Sequence, residues 1–283
     1  IEASAYFPNV HGLMADGDKL WVGTFSYGLK IIDIHSRKVV KSFVAGRAQG
    51  ELRDNAIFGI SKSPDGVVYI ATVRGLCWYD DTNGKFEYVK EVPAILINQV
   101  KFDSSGNLWV ATQADGVYLY RRRERRWHHY SKSAKCHITS NTVLAIYEDN
   151  EHRIWFPTQG GGVCRYDPST DDIEQFTVGT NTIGSSVFEV LEDHQGMFWF
   201  TTYRGLVCFN PDNKTLRYFA NTSLMMDNQF NNSSALVADD GSIYLGCLSG
   251  MLRFMPSRLA KSRSLPKLVA TQLSIGNEIV NNF

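Results

Sequence analysis

DSSGNLWVATQADGVYLY, Asp103 to Tyr120, sets a polar turn, a Trp-centred apolar run, a glycine and a second aromatic run within one short stretch. The same order of residue types returns as SPDGVVYIATVRGLCWYD at Ser63 to Asp80 and as NEHRIWFPTQGGGVCRYD at Asn150 to Asp167. Further copies read ADGDKLWVGTFSYGLKIID from Ala15, DHQGMFWFTTYRGLVCFN from Asp193 and DDGSIYLGCLSGMLRF from Asp239. The chain is therefore a six-fold repeat.

Three columns keep register through the copies. The central aromatic falls at Trp21, Tyr69, Trp109, Trp155, Trp199 and Tyr244, at intervals of 48, 40, 46, 44 and 45 residues. A second column reads Thr24, Thr72, Thr112, Thr158, Thr202 and Cys247. The third is Gly28, Gly75, Gly116, Gly162, Gly205 and Gly250, each followed four residues on by Ile32, Tyr79, Tyr120, Tyr166, Phe209 and Phe254.

Each copy parses into short strands by period-2 alternation and β-branched or aromatic content, separated by Asp, Gly and Asn clusters. The third copy gives INQVKF (97–102), a DSSGN turn, LWVATQ, GVYLY and an outer strand at RWHHY. No segment carries a 3.6-residue apolar stripe, so the expectation is all-β. Four strands at a period near 45 residues predict the blades of a β-propeller, six of them visible. Five copies carry an outer-strand aromatic: Phe43, Phe86, Trp127 with Tyr130, Phe176, and Tyr218 with Phe219. The sixth does not. Glu2 to Phe7 reads as an outer strand without inner strands, so it either completes the sixth blade or belongs to a seven-bladed ring with strands upstream.

The expected domains are a propeller over 1–258 and, over 259–283, a linker that opens a second domain. Asp residues at the first turn (Asp16, Asp65 with Gly66, Asp103 with Gly106, Asp193 with Gly196, Asp240 with Gly241) supply the acceptor and the positive φ that tight turns need. A calcium reading of these carboxylates fails because paired ligand spacing does not recur. The strand aromatics are expected to fill the wedges between blades.

The 283 residues are ample for a core, and 29 Lys and Arg against 29 Asp and Glu leave no field to hold a polyanion, which argues against nucleic acid. No run of about 18 apolar residues exists to span a bilayer as a helix. IEASAYF lacks both an initiator Met and a signal-peptide pattern, and the chain reads as an excised piece. Of five cysteines, Cys77, Cys164, Cys208 and Cys247 occupy strand positions that suit small buried thiols, without ligand or C-x-x-C spacing.

The columns D-x-x-G-x-L-W-V-x-T…G-(V/L)-x-x-Y resemble the two-component regulator propeller repeat over roughly Asn9 to Pro256. NQFNNSSALVADDGSIYLGCLSGMLRFMP (Asn228 to Pro256) is similar to that family's last blade, and LPKLVATQLSIGNEIV (Leu265 to Val280) to the opening strand of the Ig-like domain that follows it. The resemblance implies the periplasmic sensor region of an inner-membrane hybrid histidine kinase. It further implies a carbohydrate fragment as ligand, signalling by domain rearrangement, and contacts with a neighbouring propeller and the Ig-like domain. A homodimer is compatible with it.

If each innermost strand runs from one face to the other, the second-to-third-strand turns and the lead-ins to each innermost strand share a face. The turns offer Phe25, Tyr27, Arg74, Gln113, Asp115, Gln159, Tyr203 and Arg204. The lead-ins offer His11, Asn98, Asn141, Asn228, Gln229, Asn231 and Asn232. From these, Tyr27, Arg74, Gln113, Asp115, Gln159, Tyr203, Arg204, Asn98 and Asn231 are the expected ligand-binding residues. Rings, amides and guanidinium groups suit sugars, whose ring faces stack and whose hydroxyls need convergent partners.

RRRERRW (Arg121 to Trp127) stands alone in a hairpin on the other face, and adjacent His128 and His129 point to opposite sides of a strand. GGG at Gly160 to Gly162 lacks the Lys-Ser/Thr and helix of a phosphate loop. No Gly-x-Ser-x-Gly or recurring carboxylate pair appears. The expectation is a non-enzymatic sensor without cofactor or metal; the alternatives are an enzyme of the streptogramin-lyase type and a protein-binding scaffold.

Overall fold

The computed structural model describes residues 9–132, 138–178, 181–219, 229–248, 250–259, 273–275 and 278–280. Six antiparallel sheets follow one another along the chain, each taking its strands in sequence order from the inside outward. The molecule is a β-propeller. Its innermost strands are Val10–Asp16, Ile57–Lys62, Ile97–Phe102, Tyr147–Glu148, Val187–Glu192 and Phe230–Val237, one per blade. Blades 1 to 5 have four strands; blade 6 has three among the described residues. After Phe254, Pro256–Arg258 turns into a short 3-10 helix, and Leu259 packs against the core of blades 5 and 6.

The Glu2 to Phe7 outer-strand reading lies outside the described residues, as does most of the linker. Leu273–Ile275 and Glu278–Val280 form a small antiparallel hairpin. Among the described residues, no helix is long and apolar enough to cross a membrane.

One packing rule recurs. The face of each blade that carries the central aromatic meets the opposite face of the next blade. Trp109, Ala111, Val117 and Leu119 of blade 3 pack on Ile146, Ile154, Phe156 and Cys164 of blade 4. Trp155 and Val163 of blade 4 then pack on Val190, Phe198 and Phe200 of blade 5. Period-2 strands make this possible, because alternate side chains serve the two neighbours. Cys77, Cys164 and Cys208 are buried and Cys247 is half-buried; burial pushes the Cys77 and Cys208 thiols up to about 12.

The columns have physical roles. Each Thr hydroxyl of the second column donates to the carbonyl of the third-column glycine, at 2.8 to 3.0 Å in blades 1 to 5. In four of them it also accepts a turn N–H, from Tyr27, Arg74, Asp115 or Arg204. Valine could do neither. At Gly116 (φ 72°) a Cβ would lie 2.1 Å from the Tyr130 carbonyl, so no other residue fits.

The first-turn aspartates split into two groups. Asp103, Asp149 and Asp193 cap their own turns and also accept the indole N–H of Trp109, Trp155 and Trp199, at 2.8, 2.7 and 2.7 Å. Asp149 was not among the aspartates singled out from sequence, because His152 takes the glycine position of its turn at φ 63°. Asp16 and Asp65 stand outside this arrangement and pair with Lys62 and Arg122. Ala15 occupies the acceptor position in blade 1, six residues before Trp21. The Trp21 indole N–H is correspondingly buried without a partner.

Candidate functional site

The expected shared face exists. Gly28, Gly75, Gly116 and Gly162 donate their N–H groups to Asn55, Ile95, Asn141 and Ser185 in the segments leading to the next blade. Phe25, Gln113, Gln159 and Leu248 donate to Asn9, Leu96, Thr142 and Gln229 of their own lead-ins. Turns and lead-ins are thus stitched into one surface around the channel.

That surface is shaped by bulges. In blades 1, 2, 3 and 5 the innermost strand pairs on either side of one residue that has no partner, namely His11, Phe58, Asn98 and Phe188. A bulge bends its strand and re-aims its side chain. In blade 6 the bulge widens to Asn231, Asn232, Ser233 and Ser234, between the Phe230–Cys247 and Ala235–Leu245 pairs, with Ser233 at φ 51°.

These residues meet at the channel mouth. His11, Phe58, Asn98 and Asn231 to Ser234, with Asn9, Val10, Phe230 and Leu248, line a cavity of about 590 Å³. A second cavity of about 280 Å³ is lined by Gly12, Gly59, Gln99 and other innermost-strand residues. His11 stands 5.0 Å from the Phe58 ring and 5.8 Å from Phe25, which is 46% exposed. Burial lowers the His11 pKa and so favours its neutral ring. In blade 5 the corresponding pair, Phe188 and Tyr203, lies at 4.8 Å. The mouth therefore offers half-exposed ring faces beside primary amides and hydroxyls.

Also on the innermost strands, burial raises the Glu189 carboxyl to about 7 and lowers the Lys101 ammonium, whose Nζ sits 5.3 Å from the Tyr147 ring.

Of the nine residues expected from sequence, Asn98 and Asn231 line the mouth cavity. Asn98 is also structural: its amide donates to Gln113 Oε1 at 3.0 Å and to the Val143 carbonyl at 2.7 Å, tying blades 3 and 4. Asn231 donates to the Cys247 carbonyl at 3.3 Å. The other seven sit on the surrounding turns and do not line it. Tyr27, Tyr203, Arg74, Gln159 and Arg204 are exposed, and Arg74 pairs with Asp54 at 3.5 Å. Asp115 accepts from the Tyr118 hydroxyl at 2.6 Å and pairs with His129 at 3.4 Å.

Phe58 and Phe230 were missed. The signal for Phe58 was the position after the first paired residue of the innermost strand: His11, Phe58, Asn98, Leu144, Phe188 and Asn231. Its chemistry changes while neighbouring columns repeat.

A larger depression of about 750 Å³ involves Asp193, Met197 and Trp199 of blade 5 and Pro256–Leu259. Its counterpart of about 430 Å³ holds the same columns, Asp103, Asn107 and Trp109, in blade 3. It is a groove of the repeat rather than a dedicated site. In the nearby basic run, Arg121 pairs with Asp171 and Glu124 and donates to the Tyr166 hydroxyl at 2.9 Å, while Arg122 pairs with Asp65. Among the described residues, no three His, Cys, Asp or Glu side chains gather to hold a metal ion.

No protein-family model matches the chain. Over 290 aligned residues it is 22% identical to "Histidine kinase P4" of Formosa agariphila, a match that takes in 96% of this chain and 21% of that protein. Its fold superposes, at TM-score 0.67 and 21% identity, on the extracellular domain of the putative hybrid two-component system BT3049 from B. thetaiotaomicron, over 96% of this chain and 43% of that one. The chain shares the β-propeller fold of that domain. The propeller also superposes on virginiamycin B lyase from Staphylococcus aureus, at TM-score 0.64 and 12% identity, over 89% of this chain and 85% of the lyase. It spans about a fifth of the curated kinase's length and less than half of the solved extracellular domain.

Proposed function

We propose that this propeller is an extracytoplasmic, non-enzymatic sensor module of a larger hybrid two-component receptor, and that its ligand is an oligosaccharide fragment held at the channel mouth. The bulge column supports this reading: it brings aromatic rings, amides and hydroxyls from blades 1, 2, 3 and 6 around one cavity. Such a set binds a sugar by stacking its apolar ring face and partnering its hydroxyls. Phe25, Tyr27, Arg74 and Tyr203 form the outer ring of contacts, which a longer chain of sugar units reaches. The ligand alters the receptor by preferring one arrangement of this propeller against its neighbouring propeller and Ig-like domain.

A thermal-shift screen of purified chain against defined glycan fragments tests the reading. A ligand at 100 times its dissociation constant stabilises by about 2.7 kcal/mol. His11→Ala, Phe58→Ala and Asn231→Ala should abolish the shift, and Arg74→Ala and Tyr203→Ala should weaken it. A shift unaffected by all five, or turnover of a hit, overturns the proposal; turnover is the outcome that the lyase likeness would favour.

A further inference from the structure

The two cavities at the channel mouth differ from the rest of the surface in charge. Of the whole chain, 20% is Asp, Glu, Lys or Arg. The cavities of about 750, 430 and 490 Å³ elsewhere on the molecule are each lined by both signs, with Asp193 and Arg217 in the first, Glu124 and Arg121 in the second, and Glu87 and Lys90 in the third. Among the described residues, no Asp, Glu, Lys or Arg lines either cavity at the mouth. Of the guanidinium groups on the surrounding turns, Arg74 is paired with Asp54, and Arg204 belongs to blade 5, which contributes no described residue to either lining.

The polar groups at the mouth have acceptors to spare. Asn98 commits its amide nitrogen to Gln113 and Val143, which leaves its carbonyl oxygen to accept. Ser234 donates its hydroxyl to the Asn232 carbonyl at 3.1 Å and keeps its lone pairs. The Ser233 Oγ, in the lining of both cavities, is buried and has no hydrogen-bond partner in the protein. A ligand hydroxyl answers all three, because it both donates and accepts, whereas an ionised carboxylate or sulfate only accepts. Such an anion would also leave water without meeting a cation, and a buried charge without a partner is strongly disfavoured. The Ser233 N–H offers it no substitute, since that donor is turned to the Glu189 carboxyl of blade 5. We infer that the mouth selects uncharged, hydroxyl-rich glycan units and rejects the same units when they carry a carboxylate or a sulfate. The inference rests on the sugar reading above and names the class of sugar.

Matched pairs of fragments separate charge from shape. Defined uronate-containing and sulfated oligosaccharides, each beside the same fragment after carboxyl reduction or desulfation, are titrated into the protein by calorimetry. In every pair that binds, the neutral member should bind at least about tenfold more tightly, because its charged counterpart must shed water without gaining a cation. Its affinity should be the same at about 50 and about 500 mM NaCl, since no ion pair forms. Ser233→Gly removes the hydroxyl at a φ of 51° that glycine adopts readily, and should weaken the neutral member about fivefold or more. Asn232→Lys, at an exposed position of the wide bulge, should reverse the preference by supplying the missing cation. A charged member that binds as tightly as its neutral counterpart overturns the inference and leaves the sugar reading standing. Binding by neither member of any pair overturns both. Unchanged affinity and preference in both variants places recognition away from the mouth and likewise overturns the inference.

Discussion

Between blades 3 and 4 the Trp109 ring lies 4.9 Å from Tyr166 and 5.3 Å from Phe156, with its indole N–H bonded to Asp103. Between blades 6 and 1 the same columns place Met251, Leu236 and Leu13 in solvent. The residue types differ little between the two junctions, which are apolar on both sides. The difference is the presence of the complementary face, so burial here belongs to neighbouring blades and not to a blade alone. A repeat protein whose units cannot bury a face by themselves shows its junctions most clearly at the one left open.

The largest expected effect at a closed junction is Trp109→Ala, which should cost about 3–5 kcal/mol in denaturant unfolding. A loss under about 1 kcal/mol would show that the aromatic column does not carry the inter-blade core.

Asp149→Ala should cost about 3 kcal/mol, because it strands the buried Trp155 indole N–H that the carboxylate holds at 2.7 Å and removes one of the two carboxylates that pair with Arg153. The same change at Asp240, an exposed carboxylate of blade 6, should leave the stability nearly unchanged. Similar costs at the two positions would erase the distinction between them.

Glu189 sharpens the comparison along the channel. Its carboxyl is raised from the ordinary 4.5 to about 7 by burial, so the folded chain keeps a proton that the unfolded chain releases. This group's contribution is therefore full below about pH 4.5 and is lost as the pH rises to about 7. Glu189→Gln should flatten that decline, gaining roughly 1–3 kcal/mol over wild type at pH 8 and little at pH 4.5. Parallel stability curves for the two proteins would contradict it.

The smallest effect is expected at the exposed face of blade 6. Met251→Ala should change the unfolding free energy by less than about 0.5 kcal/mol, whereas Leu76→Ala in the same column should cost about 2–5 kcal/mol. Equal losses would mean that Met251 is packed as tightly as Leu76.

Much of the fold could be read from the repeat. The third copy's innermost strand, Ile97–Phe102, coincides with INQVKF, and its outer strand, Arg126–Tyr130, with RWHHY. The site was less legible. Its face followed from strand direction, but Phe58 enters it through a bulge, and Phe230 from the last pair before the wider bulge of blade 6, and bulges leave no turn-like mark in the sequence. The first-turn aspartates mislead for a related reason. Asp65 and Asp149 look alike as turn carboxylates, yet only Asp149 stands six residues before a tryptophan and reaches its indole.

By itself the sequence determined the all-β class, the six copies, the strand order within a copy and the glycine and threonine positions, because these depend on period, φ and local hydrogen bonds within one repeat. The tertiary structure decided which aspartates hold tryptophans, which bulge residues converge on one mouth, and which apolar faces find no partner. Those outcomes depend on distances between strands and blades far apart in the chain, which no local pattern encodes.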